Sequence, residues 1–77
     1  MQRLQERYLC PNGDRWEIWL VIYDTDRYAP GGRDEVLQYQ KNGFEVGHHT
    51  RHLDSSGRCI KENFHGITQI PADAQLV

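Results

Sequence analysis

Residues 10–14 read Cys-Pro-Asn-Gly-Asp, and no other stretch limits the fold of the chain as strongly. Proline presets φ at the first turn position, asparagine tolerates the second, and glycine takes the positive φ of the third. That is the recipe for a three-residue hairpin loop with a bulge at Gly13. Pairing Cys10 with Asp14 sets Tyr8 opposite Trp16, Arg7 opposite Glu17 and Leu4 opposite Leu20. The aromatic pair and the opposite-charge pair each contribute about 0.2–1 kcal/mol, so both support this register.

The second strand of that hairpin, RWEIWLVIYD, is the most β-prone stretch of the chain. Trp16, Ile18, Leu20 and Ile22 share one face; Glu17, Trp19, Val21 and Tyr23 share the other. Both faces turn apolar towards its end, which predicts a central strand covered on two sides. Residues 24–35, DTDRYAPGGRDE, then form a long loop, because Pro30-Gly31-Gly32 continues neither a strand nor a helix cheaply.

The stretch DEVLQYQKNGFEV fits two templates. As a hairpin, Asn42-Gly43 is a type I′ turn between two strands. As a helix, Asp34 and Glu35 sit at the positive N-terminus and Lys41 at the negative C-terminus. Gly43 is then the left-handed residue past the helix end, with Phe44 touching Tyr39. Two independent end signals favour the helix. The remainder reads as strands FEVGHHTRHL, RCIKEN and GITQI, with a turn at DSSG, a stop at Pro71 and a tail ADAQLV. The expected fold is α+β: one domain over residues 1–77, about five antiparallel strands and one short helix. The alternative is an all-β, SH3-like barrel.

A chain of 77 residues buries only about 60% of its unfolded surface and has little room for a deep pocket. Its function therefore belongs on its outside. The net charge is −2 and no dense Lys/Arg stripe is present, which speaks against direct nucleic-acid binding. The N-terminus MQRLQERYLC has no apolar run, so neither a signal peptide nor a membrane span is expected, and a cytoplasmic location is. Two cysteines do not make a disulfide framework; free thiols are expected, with a Cys10–Cys59 bridge left open.

All four histidines lie between residues 48 and 65, which raises the question of a metal. His48, His49, His52, His65, Cys10 and Cys59 are suitable zinc ligands, but the spacing lacks a Cys-x-x-Cys knuckle. On a strand His49 and His52 face opposite sides, and His48 and His52 are too far apart to chelate one ion. Cys59 with His65 lacks the glycine-rich or helix-terminal setting that builds an oxyanion hole. Asp24 and Asp26 share a face on an extended segment, but no third carboxylate is tied to them for Mg²⁺. No cofactor, metal or catalytic residue is expected.

The remaining candidate is a binding surface on the loop: Asp24, Asp26, Arg27, Tyr28, Asp34 and Glu35. Aromatic and arginine side chains anchor interfaces, and flanking carboxylates suit a basic partner. These features point to a small non-enzymatic module that inhibits or modulates a larger protein or ribonucleoprotein complex through a basic surface. By class analogy alone, small phage and mobile-element inhibitors of host defence, anti-CRISPR proteins among them, are of this size and kind. Two alternatives stand beside it. One is a nucleic-acid-binding module built on Arg51, Arg58, Lys61 and the histidines, with Phe64 as a stacking surface, and the other is a small zinc-binding domain.

Overall fold

A computed structural model of the protein describes residues 1–77. Its strands are β1 (Gln2–Leu9), β2 (Arg15–Asp24), β3 (Arg33–Lys41), β4 (Phe44–Leu53), β5 (Cys59–Gly66) and β6 (Gln75–Leu76). They form one antiparallel sheet in the order β5-β4-β3-β2-β1-β6. The expected α+β fold is thus overturned: the protein is all-β, as in the alternative. It is not a barrel, because β5 and β6 end the sheet on opposite edges. No helix is long and apolar enough to cross a membrane.

The first hairpin has the anticipated loop. The Cys10 amide donates to the Asp14 carbonyl, the Gly13 amide donates to the Cys10 carbonyl, and Gly13 sits at φ 94°. Tyr8 faces Trp16 and Arg7 faces Glu17, but Leu4 faces Trp19 rather than Leu20. One extra residue, Gln5, bulges from β1 and shifts the pairing beyond it. The Asp54–Arg58 turn repeats the first loop's bonding. The Asp54 amide donates to the Arg58 carbonyl, the Gly57 amide donates to the Asp54 carbonyl, and Gly57 lies at φ 87°.

The predicted helix over 34–42 is a strand. Asn42 and Gly43 lie at φ 52° and 87°, the two positive values of a type I′ turn, and Lys41 pairs with Phe44 across it. The helix-end signals and the hairpin signal share the same glycine. The hairpin prevails because β3 also pairs along its whole length with β2, from Trp16–Lys41 to Asp24–Arg33. Asn42 adds a tie of its own: its Oδ1 accepts from the Arg15 amide and its Nδ2 donates to Asp14 Oδ1. The two turns at this end of the sheet are thereby fastened together.

Residues 67–70 are not a strand, and the tail ends as β6 rather than a helical turn. From Gly66 of β5 on one edge to Gln75 of β6 on the other the chain must cross five inter-strand spacings, about 24 Å. Nine residue steps reach about 30 Å when extended, which suffices only for a direct crossing. Gly47 shows which face is crossed, because a Cβ there would run into the backbone of Ile67. Gly47 shares its face with Tyr39, Ile18 and Trp16 through the ladder. The strap, residues 67–74, therefore passes over the row that holds Trp16 and Ile18.

That row holds much of the apolar core, to which Leu53 adds a buried side chain at the end of β4. Trp16 is 4% exposed and Ile18 7%, with Cys10 buried beside them at the first turn. Only eight of the 77 residues are buried, so most of both sheet faces stays half-open to water. The central strand expected to be covered on both sides is covered only in patches.

Candidate functional site

On the face opposite the strap, a second patch is buried, and it is polar. Asp34 of β3 stands opposite both Tyr23 of β2 and His52 of β4. The Tyr23 hydroxyl donates to Asp34 Oδ2 at 3.1 Å, and His52 Nδ1 lies 2.7 Å from Asp34 Oδ1. Asn63 of β5 places Nδ2 3.0 Å from His52 Nε2. A carboxylate only accepts, so the His52 proton sits on Nδ1 and Nε2 accepts from the Asn63 amide. Asp34 and His52 are each 4% exposed. Burial of the Tyr23 hydroxyl, with its bond to Asp34, pushes that phenol above its usual value and keeps it a donor.

A β-bulge sets this register. Counting back from the Asn42-Gly43 turn, an unbroken ladder brings Asp34 opposite Arg51. The pairing of Tyr39 with Gly47 and of Gln40 with Glu45 leaves Val46 as one extra residue in β4. Beyond it, Asp34 meets His52 and Glu35 meets Arg51. The same Val46 carbonyl accepts from the Ile67 amide where the strap begins.

The loop between β2 and β3 closes over the pair. The Thr25 amide donates to the Gly32 carbonyl, the Gly32 amide donates to the Ala29 carbonyl, and Asp26 Oδ1 accepts from the Gly31 amide. This brings the Tyr28 ring onto His52, with centroids 3.8 Å apart and planes tilted by 40°. A Cβ at Gly32 would fall 2.5 Å from the Leu53 carbonyl oxygen, which explains glycine there. The Arg27 guanidinium and the Lys61 ammonium lie 5.3 and 5.1 Å from the centre of the Tyr28 ring.

The six loop residues singled out from sequence thus have different fates. Asp34 is buried under the loop, Glu35 pairs with Arg51 at 3.4 Å, and Asp26 bonds the loop's own backbone. Asp24 stands in the ladder opposite Arg33. Tyr28 turns inward and Arg27 follows its ring. Within this site the cationic side chains Arg27 and Lys61 form no ion pair with a carboxylate.

His52, Asn63 and Lys61 were missed as members of one site. The sequence signal for them was the alternation of β4 and β5 once residues 34–41 are read as a strand. The other histidines disperse: His48 stacks on His65 on the loop face, and His49 stacks on Phe64 on the strap face. No group of three His, Cys, Asp or Glu side chains is gathered for a metal ion. Cys59 lies near the Lys61 carbonyl and Glu62 rather than His65, and both cysteines are free. Burial raises the Cys10 thiol above its ordinary value and so holds it protonated.

The Asp34–His52 pair has the look of a catalytic dyad, but both ring nitrogens of His52 are engaged. Nε2, the nitrogen a general base uses, is occupied by Asn63, and Tyr28 lies on the ring. Comparison of the chain with family models, curated proteins and solved structures returns no match. Its function therefore has to be read from its own residues.

Proposed function

We propose that the protein is a non-enzymatic binding module that acts by covering a site on a larger protein, as an inhibitor or modulator. The observation that carries this reading is the openness of the sheet. A single layer with eight buried residues leaves no enclosed cavity for a substrate, yet it displays Phe64 and Ile60 at 63% and 41% exposure on one edge strand. Surfaces of this kind suit macromolecules better than small ligands. The expectation that the 24–35 loop meets a basic surface draws less support, because Asp26, Asp34 and Glu35 are engaged internally. Affinity purification of the full chain followed by mass spectrometry tests the reading. A stoichiometric protein partner is expected, and its absence from every plausible host lysate overturns the proposal.

A further inference from the structure

We infer that the free edge of β5 receives an extended segment of the partner, by strand addition, and that this segment alternates acidic and apolar residues. The inference rests on the binding-module reading above and gives it a location and a chemistry.

The two edges of the sheet differ. The β1 edge is bulged at Gln5 and is partly occupied by β6, with Val77 also donating to the Arg7 carbonyl. Bulges and short covering strands are the usual means by which sheet proteins block pairing with other chains. The β5 edge has no neighbour on its outer side, and seven of its eight residues are exposed. Its one irregularity, the extra residue Ile60, lies at the start of the strand and leaves Lys61–Gly66 in register with β4.

Charge selects the occupant. A strand added beside β5 places alternate residues next to Lys61, Asn63 and His65 on the loop face. Lys61 and Arg27, both near the ring of Tyr28, form no ion pair with a carboxylate of this chain. Acidic side chains at alternate positions of the incoming strand supply what is lacking, and cross-strand pairs of opposite charge are stabilising. On the strap face the intervening residues meet Glu62, already paired with Arg51, and Phe64, stacked on His49 and 63% exposed, which favours apolar partners.

A second copy of this chain fits less well. A two-fold pairing of β5 with itself keeps each face on its own side. The two registers that engage nearly the whole strand are then centred on Glu62 or Asn63. The first opposes Glu62 to Glu62, and the second opposes Lys61 to His65, with no carboxylate added to either. Like charges directly opposite are destabilising.

The test uses the intact protein and a capped peptide of alternating glutamate and valine long enough to span β5. Two controls accompany it, the same peptide with lysine for glutamate, and oligothymidylate. Backbone amide shifts should move along Ile60–Gly66 with the acidic peptide, whose affinity at low salt should exceed that of the lysine peptide by about tenfold or more. Lys61→Glu and Arg27→Glu should each reverse part of that preference without changing the melting temperature. Four results overturn the inference: equal binding of both peptides, shifts confined to the β1 edge, tighter binding of oligothymidylate at β5, or dimerisation of the free protein through β5. If a purified natural partner still binds Lys61→Glu as it binds wild type, the edge inference falls while the binding-module reading stands. If wild type captures no partner, the module reading falls whatever the peptide does.

Discussion

The protein buries two patches on opposite faces of the same sheet, and they are chemically unlike. Under the strap, Trp16, Ile18 and Cys10 form an apolar cluster; under the Tyr28 loop, Asp34 and His52 form a hydrogen-bonded pair. A single-layer sheet cannot exclude water from a side chain without a second layer. Here the second layer is local in each case, a crossing segment on one face and a folded loop on the other. The apolar patch draws its stability from area removed from water. The polar patch gains little net free energy, but leaving one of its members unpaired is costly. It fixes which residues of β3, β4 and β5 stand together. One patch chiefly supplies stability, and the other chiefly supplies register.

That division is open to test, beginning with its largest expected effect. Trp16→Ala should destabilise the protein by about 3–5 kcal/mol, comparable to the whole margin of so small a chain, and leave it largely unfolded at room temperature. Circular dichroism with urea titration measures it. Trp16→Phe should lose far less, because the buried indole N–H has no acceptor in the native state and its removal strands nothing. A cooperative, folded Trp16→Ala variant would show that the strap-side patch is not the main source of stability.

Asp34→Ala comes next. It leaves the His52 Nδ1 proton and the Tyr23 hydroxyl facing no acceptor, at a cost of about 2–3 kcal/mol. Asp34→Asn should recover much of that loss, because its carbonyl can still accept from His52 while its amide donates to Tyr23. If the alanine variant is as stable as the asparagine variant, the polar patch does not depend on its bonds. The shifts of the Asn63 amide report register independently of stability, and they should move in Asp34→Ala alone.

The contrast between the patches also explains which parts of the structure were legible in the sequence. The first hairpin was, because Pro11, Asn12 and Gly13 each have a local reason to occupy their turn positions. The face on which Trp16 and Ile18 lie was legible from alternation alone. The polar patch was not, for two physical reasons. Residues 34–42 satisfy helix-end chemistry and type I′ turn chemistry with the same Gly43, and only pairing with β2, distant in sequence, decides between them. Even the hairpin reading, taken with an unbroken ladder, pairs Asp34 with Arg51. The bulge at Val46 that brings His52 opposite has no residue signature of its own. Of the six loop residues singled out, Tyr28 folds back onto His52. Its role as the cover of His52 needed the third dimension.

Gly47→Ala probes the strap directly. The added methyl meets the backbone of Ile67, which cannot yield without lifting the strap off the sheet. A loss of about 1–2 kcal/mol is expected, at the low end of overpacking costs because the strap lies at the surface. Trp16 should become more accessible to acrylamide quenching, while the Asp34–His52 resonances stay put. Simultaneous disturbance of both patches would mean that they are one cooperative unit joined through Val46, whose carbonyl receives the strap on β4, the strand that carries His52.

The smallest effect should come from Asn42, which belongs to neither patch and serves as the reference for both. Asn42→Gly keeps the positive φ of the turn but removes the side chain that donates to Asp14. Hydrogen bonds from Asn42 and then Asn12 hold the Asp14 carboxyl below the ordinary aspartate range. A folded-state value below the unfolded one stabilises the protein above the ordinary range, and that contribution is lost as pH falls through the lowered value. In Asn42→Gly the Asp14 value should move back up, as read by NMR titration of its carboxyl carbon. The stability difference between wild type and variant should then be present at neutral pH and shrink as the pH drops below about 4. A difference that persists unchanged at lower pH would place Asn42's contribution in its bond to the Arg15 amide instead, which does not titrate.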